Sequence, residues 1–332
     1  APVAPHSGPR HDARAVRHRR AVQPVGERRS AVGVIGALVG LAVGDALGTT
    51  LEFRQPDSFE PIDDMVGGGP FRLHAGMWTD DTSMALCLAE SLVERGEFDP
   101  VDQMERYLRW YRDGHHSPTG RCFDIGRTTR EALERFERTG DPFAGPTGPM
   151  TAGNGSLMRL APIPMAYRDD PVRAVKLAGE MSRTTHGATE SVDACRYYAG
   201  LIVGAMQGVP KETLLAPRFE PAPGIWEAQP LVDTIDEVAA GSFLHRNPPE
   251  IVGAGHVTRS LEAALWAFAR TDDFRSGALA VVNLGLDADT TGAIYGQLAG
   301  AYYGVDAIPS VWRTRFSLWG DVEGMAKRLV QA

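Results

Sequence analysis

Residues 36–48 read Gly-Ala-Leu-Val-Gly-Leu-Ala-Val-Gly-Asp-Ala-Leu-Gly, with a glycine at every fourth position: Gly36, Gly40, Gly44 and Gly48. The spacing returns near the other end of the chain in Gly292, Gly296, Gly300 and Gly304. A glycine inside a helix costs about 0.5–1 kcal/mol relative to alanine, so such a row needs compensation from packing. Residues four apart form one ridge of a helix, and a ridge without side chains lets a second helix come close. The two rows are expected to face each other, antiparallel, which would bring Glu52 beside Asp287 and Asp289. Packing rules equally allow each row to receive some other neighbour.

The segments around these helices carry helical periodicity. Ala85, Leu88 and Leu92 form one stripe over Thr82–Arg95, and Met104, Leu108 and Tyr111 another over Val101–Arg112. Further helices are predicted near 125–138, 156–167, 171–182, 187–207, 229–240, 257–270, 272–281, 289–304 and 320–330, and alternating β patterns are almost absent. The Pro-rich stretch 209–230 reads as a surface connection. Residues 1–30, rich in Arg, Pro and His without apolar periodicity, read as a disordered basic tail. The expectation is one all-α domain over 31–332.

Apolar residues make up 43% and charged residues 23% of the 332, as in a globular protein with a real core. The net charge is −8, yet residues 1–30 hold seven Arg against Asp12 and Glu27, which leaves −13 on the remainder. So acidic a body argues against nucleic acid as the main partner. Three cysteines without CxxC spacing fit a reducing cytosol better than a disulfide framework or zinc site. Residues 1–30 have no apolar core of the secretory kind, which predicts a cytoplasmic protein. The apolar run from Ala31 stops at Asp45, short of the ~20 residues a bilayer needs, and predicts a buried helix rather than a membrane span.

Two helix starts are rich in oxygen ligands: Thr79-Asp80-Asp81-Thr82 and Asp287-Ala288-Asp289-Thr290-Thr291. Either one alone could be capping chemistry. The pair, 207 residues apart and joined by Glu52, points to hard cations, which take carboxylate and hydroxyl oxygens. Five carboxylates could not share a pocket as anions, and two divalent ions would compensate them, so the spacing favours a dinuclear site. Gly153-Asn154-Gly155-Ser156 is an anion cradle or an ordinary loop-to-helix turn. His186 lies between two helices as a structural donor or a site residue, whereas His115-His116 reads as exposed loop. No HExxH, GxSxG or Walker A sequence is present.

Together, Gly40–Glu52 (GLAVGDALGTTLE), Trp78–Thr82 (WTDDT), Phe123–Thr128 (FDIGRT), Gly153–Arg159 (GNGSLMR), Thr185–Gly187 (THG) and Asp287–Thr291 (DADTT) resemble the ADP-ribosylglycohydrolase family, whose branches include the dinitrogenase reductase-activating glycohydrolase and the ADP-ribosylarginine hydrolases. The resemblance spans about residues 33–320 and implies a compact orthogonal helical bundle holding two Mg²⁺ or Mn²⁺ ions. It implies Thr79, Asp80, Asp81, Asp287, Asp289 and Thr290 as metal ligands, with Glu52 as ligand or acid/base and Asp80 and Asp81 beside it in catalysis. It places Asn154, Gly155 and Ser156 on the pyrophosphate, with His186 nearby. Asp124 would face an arginine guanidinium, or else simply cap the helix from Ile125. Two departures stand out. Leu286 occupies a position where the family has glycine, and His256 one where an aromatic stacks on the adenine side. The implied activity is hydrolysis of ADP-ribose from a modified protein, most simply at arginine. A serine, nucleic-acid or small-conjugate linkage is the first alternative, and a non-catalytic ADP-ribose-binding module, motivated by Leu286, is the second.

Overall fold

The computed structural model describes Ala1 and residues 25–331. Among the described residues there is no β-strand, only helices and two isolated antiparallel bridges, Gly68 with Leu73 and Gly153 with His256. At the centre the helix Val25–Gly48 lies against the helix Ala288–Tyr303. Asp80–Arg95, Thr189–Met206, Val257–Arg270, Phe274–Val282 and Trp319–Gln331 pack around that pair, each touching one or both of its members. The segment Ala31–Gly48 is apolar enough for a membrane span but is 83% buried within the fold.

The central pair is antiparallel, and the glycine rows form its seam. A Cβ on Gly36, Gly40 or Gly44 would lie nearer than 3.0 Å to the carbonyl oxygen of Gly300, Gly296 or Gly292 respectively, and the reverse substitutions meet the same obstacle. Gly48 closes the series against Ala288. Gly304 lies outside the seam: it ends its helix at φ 83° and faces Val32. Beyond the seam two backbone bonds tie the ends together. Phe53 N–H donates to Leu286 O at 2.6 Å, and Leu286 N–H to Arg54 O at 2.7 Å.

Several expectations need correction. The first helix begins at Val25, inside the stretch read as a tail, because extending an anchored helix by a turn or two costs little compared with nucleating one. The rest of that tail, residues 2–24, lies outside the described residues. The helix expected over 156–167 shrinks to Pro162–Ala166, since Pro162 and Pro164 lack the N–H groups that a longer helix would need. The connection 209–230 is no mere surface strap: it contains the single-turn helices Lys211–Leu214 and Ile225–Ala228 and buries Leu214 and Trp226.

The seam makes opposite predictions for two glycines. Gly296→Ala should cost about 3 kcal/mol, because the obstacle is backbone and no rotamer relieves it. Gly324→Ala, within Trp319–Gln331 and with open space around it, should stabilise by about 0.5–1 kcal/mol. Thermal or urea denaturation of the two variants measures both.

Candidate active site

With the seam closed, the acidic residues of three segments converge. A pocket of about 350 Å³ is lined by Glu52, Phe53, Asp80, Asp124, Asp287, Asp289 and Thr290, together with Gly153–Gly155 and His186. Thr79 and Asp81 lie in the fully buried layer adjoining these acids.

Helix capping does not explain these acids. Where this chain caps a helix with aspartate the bonds are plain: Asp99 accepts from Val101 N–H at 3.0 Å, Asp170 from Arg173 N–H at 3.1 Å, and Asp273 from Ser276 N–H at 2.8 Å. The side chains of Thr79 and Asp287, at the corresponding positions of the two oxygen-rich starts, make no such bond. Asp124 is not a cap either. The helix after it begins at Arg127 with Gly126 as its N-cap, and Asp124 stands in the left-handed region at φ 58°, free to face the pocket.

One acid was not anticipated. Asp45, fully buried on the central helix, accepts from Thr79 N–H (3.0 Å), Thr79 Oγ1 (2.9 Å), Thr82 N–H (3.0 Å) and Thr82 Oγ1 (2.6 Å). It fastens the first Asp/Thr cluster to the seam helix. The available signal was a lone carboxylate inside an otherwise apolar helix, a residue type that is almost never buried without partners.

The oxygens are too crowded to satisfy one another. Thr79 Oγ1 lies 2.9 Å from Asp45 Oδ1, 2.9 Å from Asp81 Oδ2 and 3.3 Å from Asp289 Oδ2, and a single O–H donates to only one of them. Glu52 Oε2, Asp81 Oδ1 and Asp289 Oδ1 are buried with no hydrogen-bond partner among the described residues. Two sets of ligand atoms, from Asp45/Asp81/Asp289 and from Glu52/Asp124/Asp289, each lie within 4.8 Å of one another, and Asp289 belongs to both. All-oxygen donors of this kind fit hard divalent cations. Without cations the protein must hold protons here. Burial, then the charges of Asp124, Asp287 and Asp81, push Glu52 up to about 10. Burial raises Asp45 to about 6, and burial with Asp287 and Asp45 raises Asp124 to about 7. Asp80, Asp81 and Asp289 stand well above the usual carboxylate range, and Asp287 above it, with burial the largest cause in each case.

A further acid–histidine group, Glu90 with His115 and His116, is of another kind. Arg106 and Arg109 already hold Glu90 Oε2 at 2.6 and 2.9 Å, so the group is an ion-pair cluster. The two histidines are half-buried against it, not exposed loop, with His115 Nε2 2.8 Å from Glu90.

The Gly153–Ser156 segment forms one wall of the pocket. Asn154 Nδ2 donates to Asp287 Oδ2 at 2.7 Å, and its backbone N–H donates to Gly255 O. A Cβ on Gly155 would run into His186, which is buried behind the loop and held neutral, its pKa lowered to about 3 by burial and Arg159. The Ser156 side chain points the other way: its hydroxyl pairs with Ser182 Oγ at 2.8 Å and receives Cys195 Sγ–H. Only the backbone of Ser156 remains to serve a ligand. His256 is bridged to Gly153 through the backbone, but its ring meets Glu190 at 3.2 Å and lines a neighbouring cavity of about 650 Å³ rather than the acidic pocket. The role of Arg159 was also not read from the sequence. Its buried guanidinium donates to Tyr107 Oη (2.8 Å), Thr185 Oγ1 (2.7 Å) and Gly155 O, tying the loop to the His186 segment.

Leu286 does not prevent the turn that glycine would favour. It adopts φ 55° next to Gly285 at φ 72°, held there by its two backbone bonds to Phe53 and Arg54.

A family model described as ADP-ribosylglycohydrolase matches residues 28–332. The ADP-ribosylarginine hydrolase Tri1 of Serratia proteamaculans is 42% identical over 294 residues, which cover 89% of this chain and 78% of that protein. The ADP-ribosyl-[dinitrogen reductase] glycohydrolase of Rhodospirillum rubrum is 34% identical over 302 residues, covering 90% and 94%. A solved structure described as an ADP-ribosylglycohydrolase-related protein complex superposes with a TM-score of 0.80 at 47% identity, covering 92% of this chain and 99% of that one.

The raised acids fix the sign of a pH dependence. Asp45, Glu52 and Asp124 keep protons in the folded state that the unfolded chain releases near pH 4. The stability this gives is complete below that pH and is lost as pH rises through about 6 and 7 toward 10. In EDTA the melting temperature should therefore fall by several degrees from pH 5 to pH 8, and Asp124→Asn should make the part of that fall below about pH 7 shallower. Calorimetry across this range checks both.

Proposed function

Given that this chain belongs to the ADP-ribosylglycohydrolase family, we propose that it hydrolyses the N-glycosidic bond between ADP-ribose and an arginine side chain of a modified protein, with two Mg²⁺ or Mn²⁺ ions in the acidic pocket. It is a hydrolase of ADP-ribosyl linkages by family. The choice of arginine rests on the activity for which the Tri1 relative is named and on Asp124, whose carboxylate suits a guanidinium. The single observation that carries the metal reading is the set of partnerless buried oxygens, Glu52 Oε2, Asp81 Oδ1 and Asp289 Oδ1.

The residues to hold the ions are Thr79, Asp80, Asp81, Asp287, Asp289 and Thr290, with Asp45 supporting Thr79 from behind. When bound, divalent cations supply positive charge at the ribose hydroxyls and lower the pKa of water. The chain's own groups divide the remaining work. The backbone of Gly153–Ser156 cradles phosphate, with Arg159 and His186 fixing the loop from behind. Asn154 orients Asp287. Asp124 receives the guanidinium N–H groups. Glu52, or Asp80 beside it, takes the proton from the attacking water. The water oxygen bonds to C1″, the C1″–N bond breaks, and the proton ends on the guanidine nitrogen, leaving ADP-ribose and unmodified arginine.

Purified protein should release ADP-ribose from an arginine-modified peptide in Mg²⁺ or Mn²⁺ and stop in EDTA. Asp289→Asn should lower the rate by roughly a hundredfold or more while the fold survives. Asp99→Ala, which removes a helix cap and an exposed ion pair with Arg95 far from the acidic pocket, should cost about 1 kcal/mol of stability and leave the rate unchanged. Release that ignores EDTA would sink the metal reading. Release from a serine-modified peptide but not from the arginine one would move the activity to another linkage.

A further inference from the structure

Phe53 sits where its chemistry is conspicuous. It follows Glu52 directly, lines the acidic pocket beside Asp124 and Ile125, and is 63% exposed, against 36% for Phe143, the next most exposed phenylalanine among the described residues. Its backbone stands at φ 61°, a conformation that costs a bulky L-residue about 1–2 kcal/mol. The bond from its N–H to Leu286 O holds it there. Exposure and backbone conformation both disfavour this residue, and no hydrophobic burial offsets them. Such positions cluster at ligand sites.

Resting on the arginine reading above, we propose that Phe53 is a specificity-determining residue: its ring offers the face on which the guanidinium of the modified arginine lies, while Asp124 accepts that group's in-plane N–H donors. A guanidinium is planar, with donors around its edge and a weakly hydrated face that stacks on aromatic rings. An aromatic face and a carboxylate on the same pocket match those two requirements separately. A seryl linkage has neither a cationic face nor a fork of donors, so the pair selects against it. The pocket's excess of carboxylates favours a cation, and the nearby cation at the rim, Arg127, is exposed and turned toward Glu131 at 3.9 Å.

The test compares wild type with Phe53→Ala, Phe53→Leu and Phe53→Trp on an arginine-modified peptide, with calorimetric titration of ADP-ribose as the second readout. Phe53→Ala and Phe53→Leu should raise KM about 5- to 30-fold, and Phe53→Trp should restore it. Affinity for ADP-ribose, which lacks the guanidinium, should stay within about twofold in all four proteins. An unchanged KM in Phe53→Ala, or Phe53→Leu performing as well as wild type, overturns the proposal while leaving the arginine reading intact. Equal losses of KM and ADP-ribose affinity overturn it too, since the ring would then be supporting the pocket as a whole. A wild-type protein that does not act on the arginine peptide removes the arginine reading itself, and this inference with it.

Discussion

The contact on which everything else depends is backbone against backbone. Where Gly36, Gly40 and Gly44 meet Gly300, Gly296 and Gly292, the two central helices lie closer than any side chain would permit. The distance fixes the acidic pocket because the carboxylates that line it sit where this seam ends. Glu52 lies just past the C-terminus of one helix, and Asp287 and Asp289 lie at the N-terminus of the other. Separating these helices by the width of a methyl group would pull Glu52 away from Asp289 and dissolve the triad they form with Asp124. Asp45, on the same glycine-bearing helix, extends this control to Thr79 and Thr82, so both oxygen-rich clusters are referred to one rigid pair.

The site is also defined by what its acids do not do. Asp99, Asp170 and Asp273 spend their oxygens on backbone N–H groups, as a helix start invites. The pocket acids leave oxygens unspent in a buried setting, where an unsatisfied polar atom costs about 1–3 kcal/mol and charged groups cost more. That cost is a standing demand for positive charge. Among the described residues no lysine or arginine pairs with these oxygens, and the buried guanidinium of Arg159 is turned to neutral partners behind the Gly153–Ser156 loop.

Much of this was legible from the sequence, for reasons that can be named. Periodicity reports helices well, and a fourfold glycine row reports close approach because the helix stability it forfeits has to be regained through packing. The Asp/Thr clusters were legible as a pair though not singly. What escaped depends on three dimensions. Asp45 looked like the end of an apolar run, and only the fold shows it reaching Thr79. Ser156 lies within the loop, yet whether a side chain faces ligand or core turns on backbone rotation that spacing does not encode. His256 is beside the loop through its backbone while its ring faces another cavity. Leu286 looked like an obstacle until its two bonds to residues 53 and 54 supplied the restraint that holds it at positive φ.

The seam has a consequence for the order of events at synthesis. Its first helix ends at Gly48 and its partner begins only at Ala288, so most of the fold is translated between them. At ribosomal speeds of about 5–20 residues per second, that leaves the first helix waiting roughly 10–50 s for the surface it was shaped to meet. During that interval a helix apolar over most of its length from Ala31, and bare along one edge, lacks the partner that covers it in the finished fold. The acidic pocket cannot assemble until translation has passed Thr290.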